Sequence, residues 1–319
     1  AAAAPIILNI FLILSLLISY FFKLDYELNL SYAVTIAGLF QLFFLIFFSK
    51  YYYKPSINFK IKINSKIRFF LKKLLPSIFS SGVTQINILI GTIIASFEAG
   101  AVSYLYYADR IYQINLAIAG IAIGTVALPE LSKKIKAGNI SEVMSIQNKS
   151  IELCLVLSIP ACLGLIIASQ QITSALFGYG TFLETDVLST AQALKYFGYG
   201  VPAFALIKVL SNLFFARDNT KTPFYISVFS VLTNILISLA YFKEMGFIII
   251  PIATSIATWC AVIIYLILLI KLKYFNVGSK LYINLIKTII SVVIMSLLLY
   301  FLINFFEDKL IYTNYYKSF

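Results

Sequence analysis

Two opposite charges lie side by side inside a long apolar stretch of the sequence. Asp109 and Arg110 occur in YYADRIYQ, residues 106–113. If this stretch spans a membrane, a central arginine costs about 2.5 kcal/mol or more to insert, so it should face other protein or a hydrated cavity. The chemistry that such a group offers is the binding of an anion. The competing interpretation is a structural arginine that ties helices together through an acid or backbone carbonyls.

The neighbours of Arg110 favour the cavity. The polar residues of this stretch recur at intervals of three and four residues, as Ser103, Tyr106, Arg110 and Gln113. That spacing places them on one face of a helix. Asp109 lies about 100° away around the same helix, so it need not neutralise Arg110.

The same spacing places polar residues on one helical face in two further stretches. These residues are Ser80, Thr84, Asn87 and Gly91 in the first, and Ser227, Ser230, Asn234 and Ser238 in the second. Each stripe alone fits hydrogen bonding between helices equally well, but three polar faces in one bundle are better explained by a shared hydrated cavity. Three lysines lie nearer the ends of apolar stretches, where long side chains can reach the membrane surface: Lys195, Lys208 and Lys287.

Several kinds of catalytic chemistry are absent from this sequence. It has no histidine, and its three cysteines lie within apolar runs, which fits small core residues better than a disulfide or a metal site. No pair of acids is placed for acid–base work and no nucleotide-binding loop occurs. A cavity with fixed positive charge and no catalytic groups predicts a carrier of an anionic amphiphile, without enzyme activity, cofactor or metal. The cation would hold the phosphate, and the membrane-facing walls would accept a lipid tail.

The composition indicates which elements position these residues. Of the 319 residues, 61% are hydrophobic and 12% are charged, whereas a soluble domain is about half apolar and a quarter charged. A membrane-spanning helix needs about 20 mainly apolar residues. Nine segments meet that requirement: 3–22, 30–49, 74–97, 101–130, 151–177, 187–215, 224–242, 246–270 and 282–306. The predicted fold is an all-α polytopic membrane protein with about nine transmembrane helices.

The loops predict an orientation for these spans. Residues 50–73 hold eight lysines and arginines and no acid, so the positive-inside rule places this loop in the cytoplasm. The other basic and acidic loops then alternate, with the N-terminus inside and the C-terminus outside. The net charge of +12 mostly reflects this asymmetry, so it predicts contact with anionic lipids and no nucleic acid. SKIRFFLKKLL, from Ser65, predicts an amphipathic surface helix, and residues 131–150 predict a second interfacial, partly helical stretch.

Three stretches resemble a known family of transporters. They are SYLYYADRIYQINLAIAGIAIGTVALPELSK (103–133), GYGVPAFALIKVLSNLFFARDNTKTP (198–223) and SSGVTQINILIGTIIASF (80–97), and they are similar to segments of the MurJ/MviN family, the lipid II flippases of peptidoglycan synthesis. The resemblance implies fourteen helices in two lobes around a central cationic cavity. It also implies alternating access that carries undecaprenyl-pyrophosphate-linked disaccharide-pentapeptide outward across the bacterial inner membrane, with cell-wall synthesis proteins as further partners.

The resemblance also implies roles for individual residues. Arg110 would be a cavity arginine with Asp109 as its motif partner. ARDNTKTP, which contains Arg217, Asp218 and Lys221, would be a cytoplasmic turn between two C-lobe helices. Acids that bind a sodium ion in some family members would fall at Gly91 and Ser238, so the resemblance predicts no such ion site here. Gln113 stands where some relatives have a glutamate.

The nine spans correspond to helices five to thirteen of that family. About four preceding helices and the last helix are then missing. The predicted domains are 1–49, a remnant of the N-lobe; 50–73, a basic cytoplasmic linker with an interfacial helix; 74–274, the C-lobe with six transmembrane helices; and 275–319, an accessory helix and outer tail.

Two other functions remain open from the sequence. A related exporter of another polyprenyl-linked oligosaccharide, such as an O-antigen unit, would share the architecture. The lipid intermediate that accumulates on depletion would separate the two exporters. A scaffold or an inactive truncated copy fits the missing N-lobe helices, and it predicts no change in lipid intermediates on deletion.

Overall fold

The computed structural model describes residues 4–52 and 64–311. These residues are almost entirely helical and include no β-strand. Seven helical runs in this part of the chain are long and apolar enough to cross a membrane, and two of them, Ala101–Lys136 and Lys221–Lys271, each contain two α-helices. The predicted all-α membrane class is therefore confirmed, whereas the count of nine spans and their orientation stay predictions. The chain divides into two compact units, Ala1–Ser65 and Lys66–Phe319.

A helical hairpin forms the first unit. Its helices are α1 (Ala4–Phe22) and α2 (Tyr26–Tyr52). The carboxylate of Asp25 accepts hydrogen bonds from the backbone amides of Glu27 and Leu28, at 2.9 and 3.3 Å, and so satisfies amides that the start of a helix leaves unpaired. Most apolar side chains of this hairpin are exposed, because two helices alone cannot enclose a core.

The second unit is a bundle around one central helix. It contains nearly all of α3 (Ser65–Ala95), and then α4 (Ala101–Leu116), α5 (Ile123–Lys136), α6 (Ile140–Ile167), α7 (Ser169–Phe177), α8 (Glu184–Phe215), α9 (Lys221–Met245), α10 (Ile249–Lys271) and α11 (Ser279–Ile311). The central helix is α8, whose many buried residues pack against α4, α6, α7 and α10. Glycine permits this close packing, since a Cβ on Gly198 would lie 3.3 Å from Leu165 Cβ in α6.

α4 and α5 are two parts of one continuous helical run. Between them, Ala117–Ala122 form a π-helical segment, a widened turn that is frequent at functional sites. The segment packs closely on α8, where a Cβ on Gly120 would lie 3.0 Å from Ala205 Cα. One turn further along, the side-chain amide of Asn212 donates to the Gly124 carbonyl at 2.8 Å. These contacts hold the α4–α5 run against the central helix.

A short 3₁₀ segment that begins at Gly246 joins α9 to α10. Gly246 has φ +61° and ψ −151°, a backbone region that is essentially open only to glycine. The Glu98 carboxylate, from the turn between α3 and α4, accepts a hydrogen bond from the Phe247 amide at 2.7 Å. Nearby, the Tyr104 hydroxyl donates to Asp186 at the start of α8, at 2.8 Å. The helix ends at this side of the bundle are therefore tied together by two carboxylates.

Two predicted boundaries are wrong. The surface helix from Ser65 and the span at 74–97 are one continuous helix, α3, because a change in hydrophobicity does not by itself end a helix. The predicted span at 151–177 is broken at Ala168, with φ −106° and ψ +19°, into α6 and α7. Residues 131–150 are the end of α5 and the start of α6, joined by a turn, and their position at the membrane surface stays a prediction.

The predicted domain limits also stay predictions. Residues 53–63 of the basic linker and 312–319 of the tail lie outside the described part of the chain. The helix predicted as accessory, α11, packs along α6. There the side-chain amide of Asn284 donates to the Glu152 carboxylate at 2.7 Å.

Candidate functional site

A cavity of about 430 Å³ lies within the second unit, between α3, α4, α8, α9 and α10. Its wall on α4 extends from Val102 to Leu116, which corresponds to about 21 Å along a helix. The polar side chains among its walls are Asn87, Thr92, Tyr106, Asp109, Tyr112, Gln113, Lys208, Ser227, Ser230, Asn234, Thr254, Thr258 and Tyr265. An apolar and aromatic cavity with a limited set of polar groups is typical of a ligand-binding site.

Part of the predicted polar face of α4 lines this cavity: Tyr106, Asp109 and Gln113. The Gln113 amide donates a hydrogen bond to the Asp109 carboxylate one turn earlier. The Tyr112 ring, also in the wall, packs against Phe197 and Phe204 of α8, with ring centroids 4.8 and 5.2 Å apart. This aromatic contact fixes the rotation of α4, so that the acid and the amide face the cavity.

Arg110 and Ser103 do not line this cavity. Arg110 is exposed, and its guanidinium lies 4.6 Å from the centroid of the Tyr106 ring. It also donates to the Tyr106 hydroxyl at 2.8 Å, so a cation–π contact and a hydrogen bond hold it beside that ring. The charged group that α4 contributes to this cavity is therefore the Asp109 carboxylate. A role for Arg110 in substrate binding stays a prediction.

The polar face of α9 joins that helix to α10. Asn234 donates to the Thr254 hydroxyl at 3.0 Å, and Ser238 donates to the side-chain oxygen of Asn234 at 3.1 Å. Ser230 donates to the Ala257 carbonyl at 3.2 Å. Asn234 and Ser230 still line the cavity, whereas Ser238 is buried outside its lining. This stripe therefore serves helix–helix hydrogen bonding and also forms part of one cavity wall.

On α3, Asn87 and Gly91 line the cavity one turn apart. A Cβ on Gly91 would lie 3.8 Å from Ile250 Cγ2, so an alanine at this position would make an ordinary van der Waals contact with a side chain of α10. Thr84 and Ser80, predicted for the same face, lie outside the residues whose side chains the structure describes.

Lys208 and Tyr265 line the cavity, although the sequence pattern predicts neither as a cavity residue. That pattern assigns Lys208 to the membrane surface. A signal for Lys208 is nevertheless present, because Phe197, Phe204 and Lys208 share one helical face and all three line the cavity. Tyr265 has a comparable signal, because Thr254, Thr258 and Tyr265 share one face of α10 and all three line the cavity.

The side chain of Arg217 caps the C-terminal end of α8. Its guanidinium donates to the carbonyls of Leu213 and Tyr274, at 2.7 and 3.1 Å, and lies 4.4 Å from the centroid of the Tyr274 ring. Partial burial lowers the pKa of Arg217 from its usual value, but a guanidinium keeps its charge. Asp218 has φ +57° in the turn, and Lys221 is the first residue of α9. The motif is thus a turn between two helices, as the resemblance implies, and its cytoplasmic side stays a prediction.

The described part of the chain contains no cluster of three or more histidine, cysteine, aspartate or glutamate side chains that could hold a metal ion. Cys154 and Cys162 are buried, and Cys260 is partly buried. What the cavity offers is a set of binding groups: one carboxylate, one ammonium, amides, hydroxyls and aromatic rings.

A family sequence model described as lipid II flippase MurJ matches residues 1–318. The probable lipid II flippase MurJ of Rickettsia prowazekii (strain Madrid E) is 38% identical over 261 residues, which are 81% of this chain and 51% of that protein. A protein of the same description from Rhizobium meliloti (strain 1021) is 35% identical over 304 residues, 94% of this chain and 57% of that protein. The chain spans about half the length of these curated relatives.

Solved structures agree with the sequence matches. A structure described as lipid II flippase MurJ in an inward closed conformation matches with a TM-score of 0.75 and 26% identity, over 97% of this chain and 68% of that chain. A MATE protein in the straight conformation matches with a TM-score of 0.58 and 14% identity, over 80% of this chain and 57% of that chain. The second match shows a shared fold alone.

Proposed function

Because this chain belongs to the lipid II flippase MurJ family, we propose that it moves lipid II, the undecaprenyl-pyrophosphate-linked peptidoglycan precursor, from the inner to the outer leaflet of the bacterial cytoplasmic membrane. The movement is alternating access, in which a binding cavity opens to one side at a time. The protein acts as a carrier and breaks no covalent bond in its substrate.

The observation that carries this proposal is the elongated cavity of the second unit. Its apolar and aromatic walls suit an amphiphile, and its polar groups suit a glycan with attached peptide. The Asp109–Gln113 pair presents hydrogen-bond acceptors and a donor at the middle of α4. Arg110, beside Tyr106 and exposed, is our candidate for contact with the substrate pyrophosphate outside this cavity.

The matched segments cover 51% and 57% of the two relatives, so the proposed activity refers to the chain as one part of a longer, two-lobed carrier. On this proposal the first unit belongs to one lobe and the second unit forms the other. Anionic membrane lipids and cell-wall synthesis proteins are the proposed partners, and the basic loop at 50–73 faces the cytoplasm.

A complementation experiment tests the proposal. Cells depleted of their own lipid II flippase would express this chain, or the Rickettsia relative with its matched segment replaced by this chain. Accessibility of lipid II on the outer face of the membrane is then measured. We expect the chimaera to restore exposure of lipid II, and we expect Arg110→Ala to abolish it while the protein still accumulates in the membrane.

The matched control is Lys195→Gln, a neutralised exposed lysine outside the cavity lining, which should leave exposure of lipid II unchanged. A chimaera that reaches the membrane and restores nothing would contradict the proposed function. Accumulation of another polyprenyl-linked glycan on depletion, with lipid II unaffected, would redirect the proposal to that substrate.

A further inference from the structure

We propose that one end of the cavity, formed by Lys208, Ser227 and Tyr265 and called here the lysine end, is a binding site for a phosphate or pyrophosphate group. The inference deepens the proposed function, because it assigns the anionic part of the substrate to particular residues of the second unit. It differs from the role proposed for Arg110, which lies outside this cavity.

Helix pairings place the three residues at the same level. Between α9 and α10, Asn234 pairs with Thr254 and Ser230 with the Ala257 carbonyl. Continuing one turn in that direction brings Ser227 opposite residue 261, one turn from Tyr265.

The parallel helices α8 and α10 give the level of Lys208. Ser255 donates to the Tyr196 carbonyl at 2.8 Å, and Trp259 donates to the Tyr199 carbonyl at 2.9 Å. These two pairs are offset by 59 and 60 residues, and the same offset places Lys208 beside residues 267–268, within one turn of Tyr265. All three members of the lysine end also line one cavity, so they converge on a shared space.

Lys208 supplies an unneutralised cation. Among the described residues, no acid forms an ion pair with it. The cavity carboxylate, Asp109, is distant, because a Cβ on Gly124 would lie 3.4 Å from the Lys208 carbonyl and Gly124 is about 22 Å along the helix from Asp109. An ammonium that lines a cavity without a partner is a natural anion site.

Tyr265 supplies a second, independent indication. Its side chain is only 1% exposed, it lines the cavity, and its ring packs on Phe214 with centroids 5.7 Å apart. Its hydroxyl makes no hydrogen bond to any residue in the described ranges. A buried tyrosine hydroxyl normally has a partner, so this donor is available for a ligand in the cavity.

The chemistry of the lysine end suits a phosphate oxygen rather than a sugar or a lipid tail. The ammonium provides charge and three donors, and the Tyr265 phenol and the Ser227 hydroxyl can each donate. Ser227 currently donates to the Pro223 carbonyl at 2.9 Å, a bond that a rotating hydroxyl can exchange for a stronger acceptor. Tyr265 is almost fully buried, which strengthens its hydrogen bond to an anion, whereas the Lys208 side chain is exposed and carries its charge at the accessible side of the lysine end.

The test measures binding to the purified chain in nanodiscs by native mass spectrometry. The probes are undecaprenyl pyrophosphate in the disc and inorganic pyrophosphate in solution. We expect Lys208→Gln to lower affinity for the lipid-linked probe about tenfold or more, and Tyr265→Phe to lower it about threefold. Lys208→Arg should stay within about threefold of the unmodified chain. Lys195→Gln, on the same helix but outside the cavity lining, should bind like the unmodified chain.

The competition arm distinguishes the two sources of the anion. Displacement of the lipid by inorganic pyrophosphate supports a site that recognises the anion alone, and Lys208-dependent binding without displacement supports a lipid-linked ligand. Unchanged affinity in Lys208→Gln, or an equal loss in Lys195→Gln, overturns the proposal. Equal Lys208-dependence for phosphatidylglycerol also overturns it, since Lys208 would then only contact lipid headgroups.

The binding and transport results separate the two proposals. If the chimaera with the Rickettsia relative exposes no lipid II but the chain shows Lys208-dependent pyrophosphate binding, the lysine end stands and the flippase proposal fails. If Lys208→Gln exposes lipid II at the normal rate and binds the lipid-linked probe normally, the lysine end fails and the flippase proposal stands.

Discussion

Replacement of Gly246 by alanine should lower the free energy of unfolding of the second unit for two reasons: backbone strain and a clash of the new methyl group with the Glu98 carboxylate. With φ +61° and ψ −151°, this position should cost any other residue about 1–3 kcal/mol in backbone strain. The new Cβ would also lie 2.7 Å from the Glu98 carboxylate oxygen, the same oxygen that accepts the Phe247 amide at 2.7 Å. Displacing it removes a charge-assisted hydrogen bond worth about 1.5–3 kcal/mol.

The two costs together predict a loss of about 3 kcal/mol or more in the free energy of unfolding. The assay is reversible unfolding of the purified chain in mixed detergent micelles, followed by circular dichroism. Glu98→Ala separates the terms. In that background Gly246→Ala should cost only the strain, about 1–3 kcal/mol, because no carboxylate remains to be displaced.

Gly138→Ala is the matched control. Gly138 also has a positive φ, +71°, but no heavy atom lies within 4 Å of its notional Cβ, so its cost is left-handed strain of about 1–2 kcal/mol. A cost of Gly246→Ala no larger than that of Gly138→Ala would contradict a role for the Glu98 carboxylate. An unchanged cost of Gly246→Ala after removal of Glu98 would contradict it as well, because the carboxylate would then not stabilise the turn between α9 and α10.

Three further substitutions are expected to lower the free energy of unfolding in the same assay. Asn212→Ala removes the amide that donates to the Gly124 carbonyl and should cost about 1 kcal/mol; no measurable loss would show that this contact does not hold the α4–α5 run. Arg217→Lys keeps the charge but loses the fork that reaches two carbonyls, for about 2 kcal/mol, and an unchanged value would mean that charge alone suffices. Tyr104→Phe removes the donor to Asp186 and should cost about 1 kcal/mol. An effect near zero would mean that water replaces this hydrogen bond without loss of stability.

Hydrophobic length was sufficient to predict most of the helices. The segment 3–22 corresponds to α1 (Ala4–Phe22), and 187–215 corresponds to α8 (Glu184–Phe215). Composition could not show how helices continue or break. Nothing in the residues around Ala168 resembles a helix stop, and the π-helical turn depends on packing against α8, a tertiary contact that no local pattern contains.

The sequence predicted which types of residue form the candidate site, but it did not predict the rotation of α4 about its own axis. Tyr106 and Gln113 are three and four residues from Asp109, and four and three residues from Arg110. Both charged residues therefore share a helical face with the same two neighbours. Packing of the Tyr112 ring against Phe197 and Phe204 determines that Asp109, and not Arg110, faces the cavity. That contact joins residues about 90 positions apart in the sequence.

The π-helical turn at Ala117–Ala122 also bears on how related chains are aligned and engineered. Because each of its hydrogen bonds spans one residue more than in an α-helix, loss of one residue there can leave a regular helix. The wider turn accommodates its extra residue by turning less per residue, so the residues before and after it keep nearly the same helical phase, and Asp109 and Gln113 would still face the cavity. A single-codon deletion at this turn should therefore preserve the helical phase of α4, whereas the same deletion within α4 or α5 would rotate one part of the run against the other by about 100°, and an alignment gap is best accommodated at the turn.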